Sequence, residues 1–372
     1  MWRRVLSSSR ISARSCCRRC DYTSSRSSYY YSTNASSKGG EEGIEASFEK
    51  CVTGKNVERL YRQGYAVFKA ENGFDSNVGK ELRKEIDALF LSSPERFVPN
   101  STRFVKDGFQ TELVKKNILE LSAPFVEETD GRYLRALQRD RTLLTLLNVL
   151  KPSETPSEML FNVSLKVQMN FGENARFPIH FDSDSSTDNR RWTCLVYLND
   201  DWEEKDGGEV VLYLPFQKEK IVVVPPKLGT IVMFNSRYVA HSTLPYTGKR
   251  RVMFTLWLHA KGGKDDGNAE KMKESSIVSN EKIETDAQEQ LEKLLAPEQR
   301  KYLMKLILAE EWATSIAEAH DRSSESTAKA LKTHWEEIDI IATVLGQAFP
   351  LAFEKLEKLM KTGKISEFPL KF

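Results

Sequence analysis

The chain has 372 residues, enough for two or three domains and for a sizeable core. Hydrophobic residues make up 40% and charged residues 29%, and the formal net charge of only +2 excludes a generally basic nucleic-acid binder. That total hides a division: residues 1–40 carry eight basic residues against the single acid Asp21, a charge of +7, so the remainder carries −5.

The basic segment, residues 1–43, is an Arg- and Ser-rich arm and polar linker. Its apolar run ends at Val5-Leu6, too short for the roughly 7–15 apolar residues of a secretory signal. The composition is that of an organelle transit peptide, mitochondrial first, with a plastid address or a plain cytoplasmic tail as the alternatives. No stretch approaches the roughly 18 apolar residues of a membrane span; Leu143–Leu150 is the densest. Cys16, Cys17 and Cys20 lie in the arm. Cys51 and Cys194 are too few and too far apart for a disulfide framework, which fits a reducing interior.

Residues 44–159 read as an N-terminal support. Gly64–Phe68 predicts a short buried strand and Val78–Leu91 an amphipathic helix. Phe97–Lys116 reads as a long irregular segment, the candidate substrate-facing loop. Tyr133–Leu150 predicts one helix, stopped before Pro152.

Residues 160–260 change character. Short β-rich runs recur at Val163–Phe171, Trp192–Leu198, Glu209–Leu214, Ile221–Val224, Thr230–Phe234 and Val252–Leu258, separated by turn residues. That spacing predicts an all-β double sheet or barrel. Residues 261–290 form a charged linker with Gly262-Gly263. Residues 291–372 return to helical period, with stripes through Leu291, Leu294, Leu303 and Ile307 and through Trp335, Ile338, Ile341 and Leu345. Pro350 should end the second helix. These stripes suit packing on the core or a homodimer contact. His320 and His334 read as solvated.

One constellation carries chemistry. His180 and Asp182 form an H-x-D, and on an extended backbone residues i and i+2 point the same way, so both reach one metal ion. His241 follows a strand and supplies a third ligand. Two histidines and one carboxylate with open positions are the facial triad of non-haem Fe(II) oxygenases. Asp184 rivals Asp182 but breaks the H-x-D spacing. Arg251 opens a strand whose parity puts Arg251, Met253, Thr255 and Trp257 on one face. An inward Arg is reasonable if it clamps a carboxylate. Lys249 and Arg250 compete with it, and parity with Thr255 favours Arg251. Tyr197 shares a face with Thr193 and Leu195. His259 reads as structural, and Asp200–Glu204 as a solvated hairpin tip.

The stretch Leu165–His259 resembles the 2-oxoglutarate- and Fe(II)-dependent dioxygenases of the prolyl 4-hydroxylase type. The matching elements are His180-Phe-Asp182, Cys194 through Trp202, Gly207-Gly208-Glu209, His241, and Arg251 through Thr255 to Trp257. Their order and spacing together are specific. The Leu-Asn-Asp-Asp-Trp hairpin and the Arg look like the oxygen-sensing branch, and Met169–Gly172 like the collagen-modifying one. The resemblance implies an α+β protein: a double-stranded β-helix (jelly-roll) core with N-terminal supporting helices and a C-terminal helical extension. It implies Fe(II) on His180, Asp182 and His241. It implies 2-oxoglutarate held by Arg251 with Tyr197 and Thr255, O₂ as cosubstrate, and release of succinate and CO₂. It leaves an ascorbate requirement open. Phe171 stands where many relatives carry Tyr and is given no polar role. The substrate it implies is a prolyl residue of a protein or peptide. Alternatives are the same chemistry on a non-prolyl or small-molecule substrate, and a metal-binding scaffold acting through its C-terminal helices.

Overall fold

The computed structural model describes residues 40–106, 109–122, 131–152, 159–183, 188–261 and 287–367. Most of the arm, Asp184 and residues 262–286 of the predicted linker lie outside the described residues. In chain order the elements are α1 (Gly40–Cys51), α2 (Gly54–Gln63), β1 (Tyr65–Phe68), α3 (Ser76–Ser92), β2 (Val98–Lys106), β3 (Phe109–Ser122), α4 (Arg132–Arg139) and α5 (Thr142–Leu150). Then come β4 (Leu160–Phe171), β5 (Arg190–Tyr197), β6 (Val210–Tyr213), β7 (Ile221–Val224), β8 (Ile231–Asn235), β9 (Ala240–Thr243) and β10 (Arg250–Ala260). The C-terminal helices are α6 (Ala287–Leu294), α7 (Pro297–Ile307), α8 (Ala309–Ala319), α9 (Glu325–Ala348) and α10 (Ala352–Thr362).

The strands form two antiparallel sheets, a major one in the order β1-β8-β5-β10-β4-β3-β2 and a minor one in the order β7-β6-β9. Alternation along each strand assigns its side chains to different cores. Val252, Phe254, Leu256 and Leu258 of β10 join Trp192, Cys194 and Val196 of β5 against α1–α5. The opposite face, with Tyr197, Leu195 and Met253, meets Val210 and Leu212 of β6 between the sheets. The outer face of the minor sheet, Val211, Tyr213 and Ala240, is covered by Leu291, Leu303, Ile307, Trp312 and Ile338 of the C-terminal helices. The result is four layers: helices, major sheet, minor sheet, helices. The jelly roll expected from the sequence forms the two middle layers, and the C-terminal stripes are buried within the same chain.

Local signals explain the helix ends. The Asp75 carboxylate caps α3, accepting from the Asn77 and Val78 amides at 2.9 and 3.1 Å. Gly64 closes α2 at φ +77°, and its amide donates to the Leu60 carbonyl. α9 stops at Ala348, ahead of Pro350.

Five sequence expectations are corrected. Phe97–Lys116 is not irregular: it lies largely in the β2–β3 hairpin, paired from Val98↔Glu120 to Lys106↔Phe109. Its pattern is inverted, because Asn100 and Lys115 are buried while Val98 and Val114 are half exposed. The predicted helix Tyr133–Leu150 is two helices, broken where Asp140 accepts from the amide and hydroxyl of Thr142. Gly40–Gly43, read as linker, already belongs to α1, whose Glu41 and Glu42 suit a helix start and whose Ile44, Phe48 and Cys51 form a buried stripe. Ala287–Gln290, likewise read as linker, opens α6. His320 and His334 are 4% and 5% exposed, not solvated; their polar edges bond the Ile316 and Ala309 carbonyls, which allows burial.

Candidate active site

His241 lies within β9 rather than after a strand. The segment bearing His180 pairs with it: the two residues exchange N–H···O bonds of 3.0 Å in an antiparallel bridge. The imidazoles are 4.2 Å apart between centroids. Each ring presents Nδ1 to a backbone carbonyl, His180 to Pro178 at 2.8 Å and His241 to Val239 at 3.3 Å. A carbonyl only accepts, so Nδ1 carries the proton in both and Nε2 is a bare donor atom for a metal. Both Nε2 atoms face Asp182 Oδ1, at 3.5 and 3.7 Å.

Asp182 is fixed from behind. Its Oδ2 accepts from the Thr193 hydroxyl at 2.6 Å and from Trp257 Nε1 at 3.1 Å, two residues paired across β5 and β10. Arg190 donates to its main-chain oxygen at 2.9 Å and lies over the Trp257 ring. Burial opposes the charge on Asp182, but the neighbouring histidines and the Thr193 hydroxyl outweigh it and hold the carboxyl below the usual range. Burial and the neighbouring His180 push His241 down to about 4, against the pull of Asp182. The ligand atoms of His180, Asp182 and His241 lie within 4.8 Å of one another. Three convergent lone-pair donors repel each other unless a cation lies between them, so the donor set fits a divalent metal.

Arg251 is 1% exposed, yet its Nε and Nη1 have no hydrogen-bond partner, and neither does the Tyr197 hydroxyl. Its guanidinium carbon lies 5.1 Å from the Tyr197 ring centre. Burial pushes the Tyr197 phenol up, with Arg251 opposing. Gly208 makes room for this arginine: at φ +79°, a Cβ there would lie 3.1 Å from Arg251 Cδ and 2.9 Å from the Tyr246 ring. Orphaned donors around one buried cation fit a ligand carboxylate. Arg251, Thr255, Trp257 and the three candidate ligands line one cavity of about 670 Å³, within the usual range of roughly 300–1,000 Å³ for small-molecule sites. Tyr197 stands behind Arg251 and is not among the lining residues. Phe171 packs on Phe90, away from the cavity. His259 bonds Ser164 at 2.7 Å at the end of β10.

Residues 165–259 match the family model described as the 2OG-Fe(II) oxygenase superfamily. This stretch belongs to that superfamily. A prolyl 4-hydroxylase structure from Phytophthora capsici superposes with a TM-score of 0.62 at 23% identity, covering 90% of this chain and 98% of its own. A Pseudomonas putida prolyl-4-hydroxylase gives 0.43 at 17% identity, covering 56% and 99%. A Trichoplax adhaerens prolyl hydroxylase, solved with a hypoxia inducible factor peptide, gives 0.45 at 18%, covering 63% and 96%. The chain is thus a 2-oxoglutarate-dependent dioxygenase with the prolyl 4-hydroxylase fold.

The dioxygenase cavity has two further walls, one within Phe97–Lys116, the segment the sequence offered as substrate-facing, and one that the sequence did not offer. The first is the β2–β3 hairpin, through Asn100, Thr102 and Lys115. The other is α8 with its C-cap residue, through Trp312, Ile316 and the capping His320. The i, i+4, i+8 spacing of those three was the available signal, since it places them on one helix face. α8 also grips the segment before the H-x-D. The Ile179 amide donates to Ser315 Oγ at 2.9 Å, Phe181 packs on Trp312 at 5.7 Å, and Arg176 pairs with Glu318.

Proposed function

We propose that this dioxygenase hydroxylates a C–H bond of a prolyl residue in a protein or peptide, with Fe(II) held by His180, Asp182 and His241. The observation that carries the reading is one cavity holding both a convergent His-Asp-His set and a buried Arg251 whose Nε and Nη1 lack hydrogen-bond partners. When bound, Fe(II) supplies the activation of O₂ that couples decarboxylation of 2-oxoglutarate to hydroxylation. One oxygen atom goes to the substrate C–H and the other to succinate, with CO₂ released.

The chain's own residues orient the reactants. Arg251 clamps the distal carboxylate of 2-oxoglutarate with Thr255 beside it in the cavity, and Tyr197, proposed from the sequence as a further contact, instead backs the guanidinium from behind. Thr193 and Trp257 keep Asp182 Oδ2 occupied, so Oδ1 faces the metal. Trp257, Trp312 and Phe177 limit water in the cavity. His180→Ala and Asp182→Ala should each abolish succinate formation, and Arg251→Met should raise the 2-oxoglutarate KM about a hundredfold. If both ligand variants still turned over 2-oxoglutarate, the metal assignment would be wrong. Mass spectrometry of cellular proteins for +16 Da sites lost with a His241 variant identifies the substrate. Sites on residues other than proline, or none on protein, would replace the prolyl reading. Titrating ascorbate in the same assay tests that requirement.

We further propose that the +7 arm is an organelle address, mitochondrial first. No helix among the described residues is long and apolar enough to cross a membrane. A fluorescent protein fused after residues 1–43 should enter mitochondria; diffuse fluorescence would reject the address.

A further inference from the structure

His320 is buried, and its Nδ1 lies 2.9 Å from the Ile316 carbonyl. That contact places the proton on Nδ1 and leaves Nε2 a bare acceptor, and this Nε2 has no partner. A buried acceptor without a donor is costly, so its persistence points to a partner that arrives with a ligand. Burial and the nearby Lys115 charge both favour the neutral, accepting form. Lys115 itself donates one N–H to Thr102 Oγ1 at 2.9 Å and lies over the Phe177 ring, with further N–H donors in hand. Apolar surface from Trp312, Ile316 and Phe177 lines the same cavity. An acceptor on one wall, a donor on the other and apolar surface between them match an extended peptide, whose main chain offers N–H and C=O.

We propose that α8 is the second wall of the substrate cleft and that His320 Nε2 accepts a hydrogen bond from a main-chain N–H of the peptide substrate. The inference rests on the peptide-hydroxylase reading above. It gives the C-terminal helices a share in specificity that the dioxygenase core alone does not need. The wall is held at a fixed distance from the metal ligands, because Ser315, Trp312 and Glu318 tie α8 to residues 176–181.

The test uses the full chain with Fe(II), 2-oxoglutarate and a library of blocked pentapeptides with central proline, read by mass. For the best peptide, His320→Leu should raise the peptide KM about tenfold while the KM for 2-oxoglutarate stays as in the parent. His320→Gln, which keeps an acceptor, should recover most of the loss. Methylating the contacted amide of the peptide should weaken binding to the parent by a similar factor and have little effect in His320→Leu. Should His320→Leu fail to fold, Ile316→Trp tests the wall directly, since it fills the cleft from the same helix face and should raise the peptide KM alone. An unchanged peptide KM in the folded variants, or equal methylation penalties in parent and His320→Leu, overturns the inference. If 2-oxoglutarate is consumed but no peptide is hydroxylated, the peptide reading itself fails and takes this inference with it.

Discussion

Asp182 has two carboxylate oxygens, and the strands around it treat them differently. Thr193 and Trp257 bond Oδ2, while Oδ1 faces the two histidines. The Thr193 hydroxyl has one proton, so Ser236, 2.8 Å away, must donate to Thr193 for that proton to reach Asp182. Thr193→Val should weaken Mn(II) or Co(II) binding by about 10–100-fold in calorimetry, and Thr193→Ser should restore it. Lys115 offers a second test, with the opposite sign for stability. Burial and then Lys166 push its ammonium down to about 8, against the pull of Glu120. Between the unfolded value near 10.5 and about 8, the unfolded chain binds a proton that the folded chain does not. Stability should therefore fall as pH drops through that window and stay lowered below it. Lys115→Met should flatten that slope in thermal melts and raise stability at pH 7 by up to about 3 kcal/mol, at the expense of substrate binding. His180, Asp182 and Arg251 were legible as candidates because H-x-D spacing and strand parity are local rules, whereas His241 rested on the family resemblance, since only a non-local bridge brings it to His180. The partners of Asp182 were less so: parity put Thr193 and Trp257 on the inward faces, but only cross-strand register brings them together.

At the scale of elements, legibility followed which side of a strand faces water. β4, β5 and β10 bury apolar residues on the face toward the N-terminal helices, and the alternation announces them. The β2–β3 hairpin turns Asn100 and Lys115 inward and Val98 and Val114 outward, so hydrophobic periodicity had nothing to detect. α8 is a similar case, because its cavity face mixes Trp312 and Ile316 with His320. Its grip on the ligand segment can be tested at Ser315, whose hydroxyl accepts from the Ile179 amide and donates to the Trp312 carbonyl. Ser315→Ala leaves a buried amide unpartnered, a loss of about 1–3 kcal/mol. The expected outcome is a lower melting temperature together with weaker metal binding. A fall in melting temperature alone would mean that α8 does not position His180.

At the scale of the molecule, the layers make the C-terminal helices part of the dioxygenase rather than an appendage. Without residues 287–372, the outer face of the minor sheet would expose Val211, Tyr213 and Ala240. The truncated chain should aggregate or lack a cooperative melt, as judged by soluble yield and circular dichroism. The Phytophthora capsici match covers 90% of this chain, far beyond residues 165–259, which agrees with an integral role. The backbone bridge between His180 and His241 has a further consequence, for the history of the site before metal arrives. Their mutual 3.0 Å hydrogen bonds belong to the sheet and do not depend on the ion. In hydrogen-exchange experiments on metal-free protein, both amides should already be protected, and adding Mn(II) should change their rates little. Such a site captures its ion with little ordering left to do. A metal-starved cell would then hold a folded reserve of this protein, ready to load when iron returns.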